Sequence, residues 1–156
     1  LDPHFPFEQV ENTSNGKPFL KSSATTFSLT HTKEIAGAII SQHHLVGIDI
    51  EKISQRVLKV ERKFLHPDEQ AMLPIEKIER TQLVTLLWTV KEAVYKCFGK
   101  STVDFSHDIC IQSIAEDFSE VTIDFKPSQV LGVKVNCQLL EEHWLAYIIH
   151  KIESPF

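Results

Sequence analysis

A helical run near the middle of the chain constrains the architecture most. From about Ile78 to Phe98, the residues Leu83, Leu87, Val90, Val94 and Cys97 recur at alternating steps of four and three. That spacing lines up one apolar face of an α-helix. Gly99 follows directly, and glycine readily takes the left-handed conformation that ends helices. A helix of this length draws most of its stability from covering its apolar face, so the rest of the chain must supply a surface to pack on it.

The flanking segments read as strands. Ala24–Leu29 is β-branched and aromatic, and Glu34–Ser41 is Ala-rich and shares features with a helix. Leu45–Glu51 alternates, with Val46, Ile48 and Ile50 on one side and Gly47, Asp49 and Glu51 on the other. After the helix come Asp108–Ile114, Glu120–Phe125, Val130–Leu140 and His143–His150, the last three spaced for an antiparallel meander. Gln55–Phe64 reads as a short amphipathic helix, and Pro67 as a first helical position with acids in the first turn. Residues 1–23 carry the turn signal NTSNGKP and read as loop or short strand. The expected fold is α+β, an antiparallel sheet packed on a long helix, without internal repeats.

Composition narrows the function. With 156 residues, 42% hydrophobic and 24% charged, the chain can bury a single core. No apolar stretch is long enough for a bilayer, and no signal peptide is evident. The net charge of −5 argues against a nucleic-acid partner. Cys97, Cys110 and Cys137 are odd in number and widely spaced. They read as reduced core cysteines of a cytoplasmic protein rather than as a disulfide framework or a zinc site.

The acids are the chemically pointed feature. Asp49 and Glu51 are two apart on an alternating strand, so their side chains share a face. Two carboxylates about 4 Å apart repel by roughly 4 kcal/mol at an effective dielectric near 20. Water, a basic side chain or a cation must offset that, and Mg²⁺ favours such hard oxygen ligands. Gly47 on the same face leaves room where a ligand could approach. A solvated strand face explains the same pattern. On the helix, Glu92 and Lys96 sit at i and i+4, the spacing of an ordinary surface ion pair. Trp88, one turn earlier on the same side, points to a covered face or cleft, and Lys91 adds a cation. His31 in a loop and Lys17 in a turn carry no signal by themselves.

Taken in order, VGIDIE (Val46–Glu51), FLHPDE (Phe64–Glu69) and LLWTVKEAVYKCFGK (Leu86–Lys100) resemble the 4'-phosphopantetheinyl transferases of the surfactin-synthetase-activating type. NGKP (Asn15–Pro18) and SLTHT (Ser28–Thr32) resemble that family's upstream motifs. The resemblance runs from about Gly16 to Ser106, and the ordered W-x-x-K-E-x-x-x-K after G-I-D-I-E is its specific part.

The resemblance implies a Mg²⁺ ion held by Asp49, Glu51 and Glu92, with Lys96 on the phosphates of coenzyme A. It implies Thr30 and His31 near the 3'-phosphate and Lys17 beside the adenosine. It also implies Glu69 as an acid–base group. The catalytic set would be Glu92, Lys96 and Glu69. The reaction would move 4'-phosphopantetheine from coenzyme A to a serine of an apo-acyl or peptidyl carrier protein, releasing 3',5'-ADP.

An acidic carrier would meet the basic and apolar run Arg56, Val57, Leu58, Lys59, Val60, Arg62 and Lys63, which equally reads as a plain surface helix. Two departures stand out: a Thr–His step where the family commonly has Ser–His, and Ser101 where glycine often follows GK. Members of this type have two similar lobes, and the first supplies basic residues for coenzyme A. Little precedes NGKP here, so either part of that coenzyme site is missing or the full enzyme extends upstream of Leu1. The competing readings are a Mg²⁺-dependent nucleotide pyrophosphate hydrolase and a non-catalytic coenzyme A-binding module.

Overall fold

The computed structural model describes residues 10–13, 17–21, 23–99 and 102–151. Ser101 and most of the NTSNG turn lie outside these residues. Three antiparallel assemblies follow one another along the chain. β1 (Val10–Asn12) pairs with β2 (Pro18–Leu20), and β3 (Thr26–His31) with β4 (Ala36–Ser41). A five-stranded sheet contains β5 (His44–Lys52), β6 (Ile109–Ile114), β7 (Glu120–Phe125), β8 (Val130–Leu140) and β9 (His143–Lys151). Its order is β5-β9-β8-β7-β6. The last four strands thus form a meander, to which β5 is added at the edge. Between β5 and β6 lie α1 (Pro67–Ala71) and α2 (Arg80–Phe98). The fold is α+β.

α2 is more deeply enclosed than a one-faced amphipathic helix. Beyond the expected apolar face, Val84, Thr85, Leu86, Thr89, Lys91 and Ala93 are all buried. The Thr85 and Thr89 hydroxyls donate to the Thr81 and Thr85 carbonyls at 2.7 Å, so they need no outside partner. Glu79 caps the first turn through Gln82 N. Gly99, at φ 53°, closes the last turn by donating to the Tyr95 carbonyl at 2.8 Å.

β5 is buried on both faces from Val46 to Ile50. Gly47, Asp49 and Glu51 stand opposite Ile148, Ala146 and Trp144 of β9. Opposed residues share a sheet face, and these β9 residues belong to the core around α2. The acidic face of β5 is therefore the helix face, not a solvated one. Gly47 corrects the expectation placed on it. A Cβ there would lie 2.1 Å from the Ala93 carbonyl oxygen and 2.7 Å from the Cys97 nitrogen. The space is filled by the backbone of α2, not by a ligand.

The outer edge of β5 is held by hydroxyls rather than by a backbone ladder. Ser28 Oγ accepts from Ile48 N at 3.2 Å, and Thr30 Oγ1 accepts from Ile50 N at 3.1 Å. Thr26 Oγ1 donates to the His44 carbonyl. Alternate residues of β3 thus satisfy backbone groups that an edge strand would otherwise leave open.

The segment expected as a helix from Gln55 to Phe64 forms two 3₁₀ stretches, Gln55–Lys59 and Glu61–Lys63. Its turns close by i→i+3 bonds, Val60 N to the Val57 carbonyl and Phe64 N to the Glu61 carbonyl, both at 3.1 Å. Buried Phe64 and Leu65 anchor its far end, and tight i→i+3 bonds fit the remaining span.

Lys91 was expected near Glu92 as a second cation of the site. It points the other way and is fully enclosed. Its ammonium donates to the carbonyls of Phe64 (2.7 Å) and Phe105 (2.9 Å) and to both oxygens of Glu69 (2.8 and 3.1 Å). Glu69 in turn accepts from Ile111 N at 2.7 Å and closes the α1 capping box through His66 N at 2.9 Å. Burial lowers the Lys91 ammonium from its usual value, with Glu69 opposing the shift. This network ties α1, the loop at Phe105 and β6 to α2.

Two stability outcomes are expected. Gly47→Ala forces the strand and helix apart and destabilises by about 1–3 kcal/mol or more. Lys91→Met leaves the Glu69 charge buried and destabilises by about 3–5 kcal/mol. Urea unfolding measures both.

Candidate functional site

The close seating of α2 on β5 brings helix side chains against the strand acids. Asp49 is 4% exposed. Its Oδ1 receives Lys96 Nζ at 2.6 Å and the Thr30 hydroxyl at 3.0 Å. Its Oδ2 is buried with no hydrogen-bond partner. Glu51 Oε1 accepts from Trp88 Nε1 at 3.0 Å. Lys96 also donates to the Leu29 carbonyl at 3.3 Å, joining β3 to the same cluster.

Glu92 completes the acidic group. Burial, then the charge of Asp49 and to a lesser degree that of Glu51, push its carboxyl from 4.5 up to about 7, while Lys96 opposes the rise. Glu51 is raised as well, by burial first and then by Asp49, with Trp88 and Lys96 opposing. The three acids therefore feel one another's charge.

Three clefts border Glu51, Glu92 or Lys96 of this cluster, and Asp49 lies beneath them, lining none of the three. One of about 290 Å³ is lined by Lys17, Phe27, Leu29, Glu92, Tyr95 and Lys96. A second, of about 830 Å³, is bordered by His31, Lys33, Glu51, Lys52, Arg56 and Trp88. The third, of about 750 Å³, runs past Lys63, Phe64, Trp88, Glu92, Tyr95 and Phe105. Glu92 borders the first and third, and Trp88 separates the second from the third. The Trp88 ring is braced by Phe64 at a 5.0 Å centroid distance and by Phe105 at 5.6 Å.

The predicted site residues fall into four groups. Asp49, Glu51, Glu92 and Lys96 come together. Lys17 and His31 border clefts next to them, on different sides. Lys17 already has a bond, donating to the Cys97 carbonyl at the end of α2 at 2.6 Å, and burial lowers its ammonium. Thr30 is buried and borders none of the three clefts. Glu69 belongs to the Lys91 network, and both its oxygens are occupied there. Sequence reading missed the Trp88–Glu51 bond, the Lys17 clasp and the hydroxyl contact of Thr30 with Asp49. The alternation Thr26, Ser28, Thr30 was the available signal for the last.

Chemically, the cluster suits a hard cation. It offers carboxylate oxygens, one of them buried and unpartnered, and a mutual repulsion that positive charge relieves. Among the described residues, no three acidic, histidine or cysteine side chains are already disposed as a set of metal ligands. Lys96 supplies the neutralising charge in this arrangement. No helix among the described residues is long and apolar enough to cross a membrane.

The fold is α+β, with three acids and a lysine gathered where a helix sits on a sheet edge, beside open clefts. The family model for the 4'-phosphopantetheinyl transferase superfamily matches residues 45–153, and the chain belongs to that superfamily. Over 87 residues it is 38% identical to the 4'-phosphopantetheinyl transferase gsp of Aneurinibacillus migulanus, covering 54% of this chain and 35% of that protein. Over 100 residues it is 35% identical to the 4'-phosphopantetheinyl transferase psf-1 of Bacillus pumilus, covering 61% of this chain and 42% of that one. The chain thus spans well under half the length of these curated relatives.

The raised Glu92 carboxyl has a pH consequence. Between pH 4.5 and about 7 the folded state holds a proton that the unfolded state has released. Stability in chelator-treated buffer therefore falls as pH rises through that window. Thermal unfolding across it is expected to show the decline, and Glu92→Gln to flatten it.

Proposed function

We propose that this chain transfers the 4'-phosphopantetheine arm of coenzyme A to a serine of an apo-acyl or peptidyl carrier protein. The supporting observation is the gathering of Asp49, Glu51, Glu92 and Lys96 within residues 45–153, the span that matches the superfamily. In this reading, Asp49, Glu51 and Glu92 hold a Mg²⁺ ion. The ion, when bound, supplies Lewis-acid neutralisation of the coenzyme A pyrophosphate.

The chain's own groups do the rest. Lys96 places its ammonium on a phosphate oxygen as a point charge. Lys17 holds the adenosine part and His31 the 3'-phosphate. The serine oxygen forms a bond to the β-phosphorus, the bond from that phosphorus to the bridging oxygen breaks, and 3',5'-ADP leaves. Positioning and charge neutralisation account for most of the acceleration in such transfers.

The serine proton needs an acceptor. Glu69 has each oxygen occupied by two donors, which leaves it poorly prepared to take one. Glu92 borders two clefts, where an incoming hydroxyl has access to it. On access alone, Glu92 or a water held beside it takes the proton, and Glu69 is assigned to holding the fold.

The carrier docks on the basic run beside the second and third clefts. Arg56, Lys59, Arg62 and Lys63 are exposed there, with Val60 also exposed between them. None of the four is ion-paired among the described residues.

Incubation with coenzyme A, Mg²⁺ and an apo-carrier tests the reading by mass spectrometry. The carrier is expected to gain one phosphopantetheine, and Asp49→Ala and Glu92→Ala to lower the rate by roughly a hundredfold or more while remaining folded. Full activity in either variant, or coenzyme A cleavage without the carrier, defeats the transferase assignment.

A further inference from the structure

We propose that Trp88 and Thr30 are positioning residues for the cation site, each fixing one strand acid through one carboxylate oxygen and leaving that acid's other oxygen for the cation. The inference rests on the transferase reading above.

The two strand acids are held in parallel ways. Asp49 Oδ1 takes the Thr30 hydroxyl at 3.0 Å as well as Lys96, and its Oδ2 has no partner. Glu51 Oε1 takes Trp88 Nε1 at 3.0 Å, and its Oε2 has no protein donor among the described residues. In both acids a neutral donor from a neighbouring element fixes one oxygen. Neutral donors orient a carboxylate without cancelling its charge; at Asp49 the Lys96 ammonium shares Oδ1 and offsets part of that charge, while Oδ2 stays open.

The donors are themselves fixed. Trp88 is wedged between Phe64 and Phe105, and it stands one helical turn before Glu92. Its bond to Glu51 therefore sets the spacing between the strand acid and the helix acid. Thr30 is 7% exposed and anchored by accepting from Ile50 N at 3.1 Å.

A threonine hydroxyl has one proton, and Thr30 gives it to Asp49. A phosphate oxygen would need that same proton. Thr30 cannot serve a coenzyme phosphate without releasing Asp49, so its role differs from the one the Thr–His motif implies.

The test uses the full chain with coenzyme A bound, and reads Mn²⁺ affinity by electron paramagnetic resonance alongside transfer kinetics. Trp88→Phe keeps the aromatic packing and removes the N–H. Thr30→Val keeps the shape and removes the hydroxyl, and Thr30→Ser restores it. Trp88→Phe and Thr30→Val are expected to weaken Mn²⁺ binding about tenfold or more and to lower kcat, with KM for coenzyme A little changed. Thr30→Ser is expected to bind Mn²⁺ like the unmodified chain.

Folded Trp88→Phe and Thr30→Val variants that bind Mn²⁺ normally overturn the proposal, as does a Thr30→Ser variant as weak as Thr30→Val. If Trp88→Phe loses its near-ultraviolet dichroism, the valine–serine pair decides. An unmodified chain that binds Mn²⁺ with coenzyme A but transfers nothing removes the transferase reading alone. One that binds no Mn²⁺ removes both.

Discussion

Everything at the site depends on how closely α2 lies against β5. Backbone meets backbone at Gly47, where the Ala93 carbonyl occupies the place of a side chain. From that contact the geometry follows by simple periodicity. Asp49 and Glu51 come two and four residues along the strand on the same face, and Glu92 and Lys96 flank Ala93 on the helix. Lys96 then reaches Asp49, and Trp88 reaches Glu51. A wider separation would break both bonds at once and let water in between the acids, where their repulsion would be screened and their shared demand for positive charge lost.

The two lysines of the W-x-x-K-E-x-x-x-K run show how one short motif divides its work. Lys91 and Lys96 are five residues apart and project on different sides of α2. Lys91 is fully buried and has three acceptor groups, two backbone carbonyls and a carboxylate. It joins peripheral elements to the helix. Lys96 keeps 29% of its side chain exposed and touches the acid cluster. A buried, fully coordinated ammonium is suited to holding structure, and a half-exposed one to meeting an anion. The buried thiols of Cys97 and Cys137, pushed up to about 12 by burial, likewise contribute packing rather than chemistry.

Much of this was legible beforehand, for identifiable reasons. The segments from Ile109 onward read as strands from their β-branched and aromatic content, and β7 and β8 have the bounds that their patterns suggest. The strand acids could be placed on one face because strand periodicity is strict. What that face would meet could not be read, because both solvent and a helix are compatible with Gly-x-Asp-x-Glu. Helical periodicity located one apolar stripe of α2 but not its near-complete enclosure, since Thr85, Thr89 and Lys91 look polar until their internal partners are known. The 3₁₀ form of Gln55–Lys63 was hidden for a related reason: apolar spacing over so short a run does not separate two helix types. Cross-element bonds such as Trp88 to Glu51 join residues 37 apart in sequence, and no local pattern encodes them.

Lys17 reaches across from the segment before β2 and holds the last turn of α2 at the Cys97 carbonyl. A cation at the end of a helix dipole is favourably placed, so this attachment is firm. Lys17 and the end of the acid-bearing helix are consequently joined through one ammonium. An anionic guest that draws the Lys17 ammonium toward itself would release the tail of that helix, and tension applied at one end would be felt as altered freedom at the other.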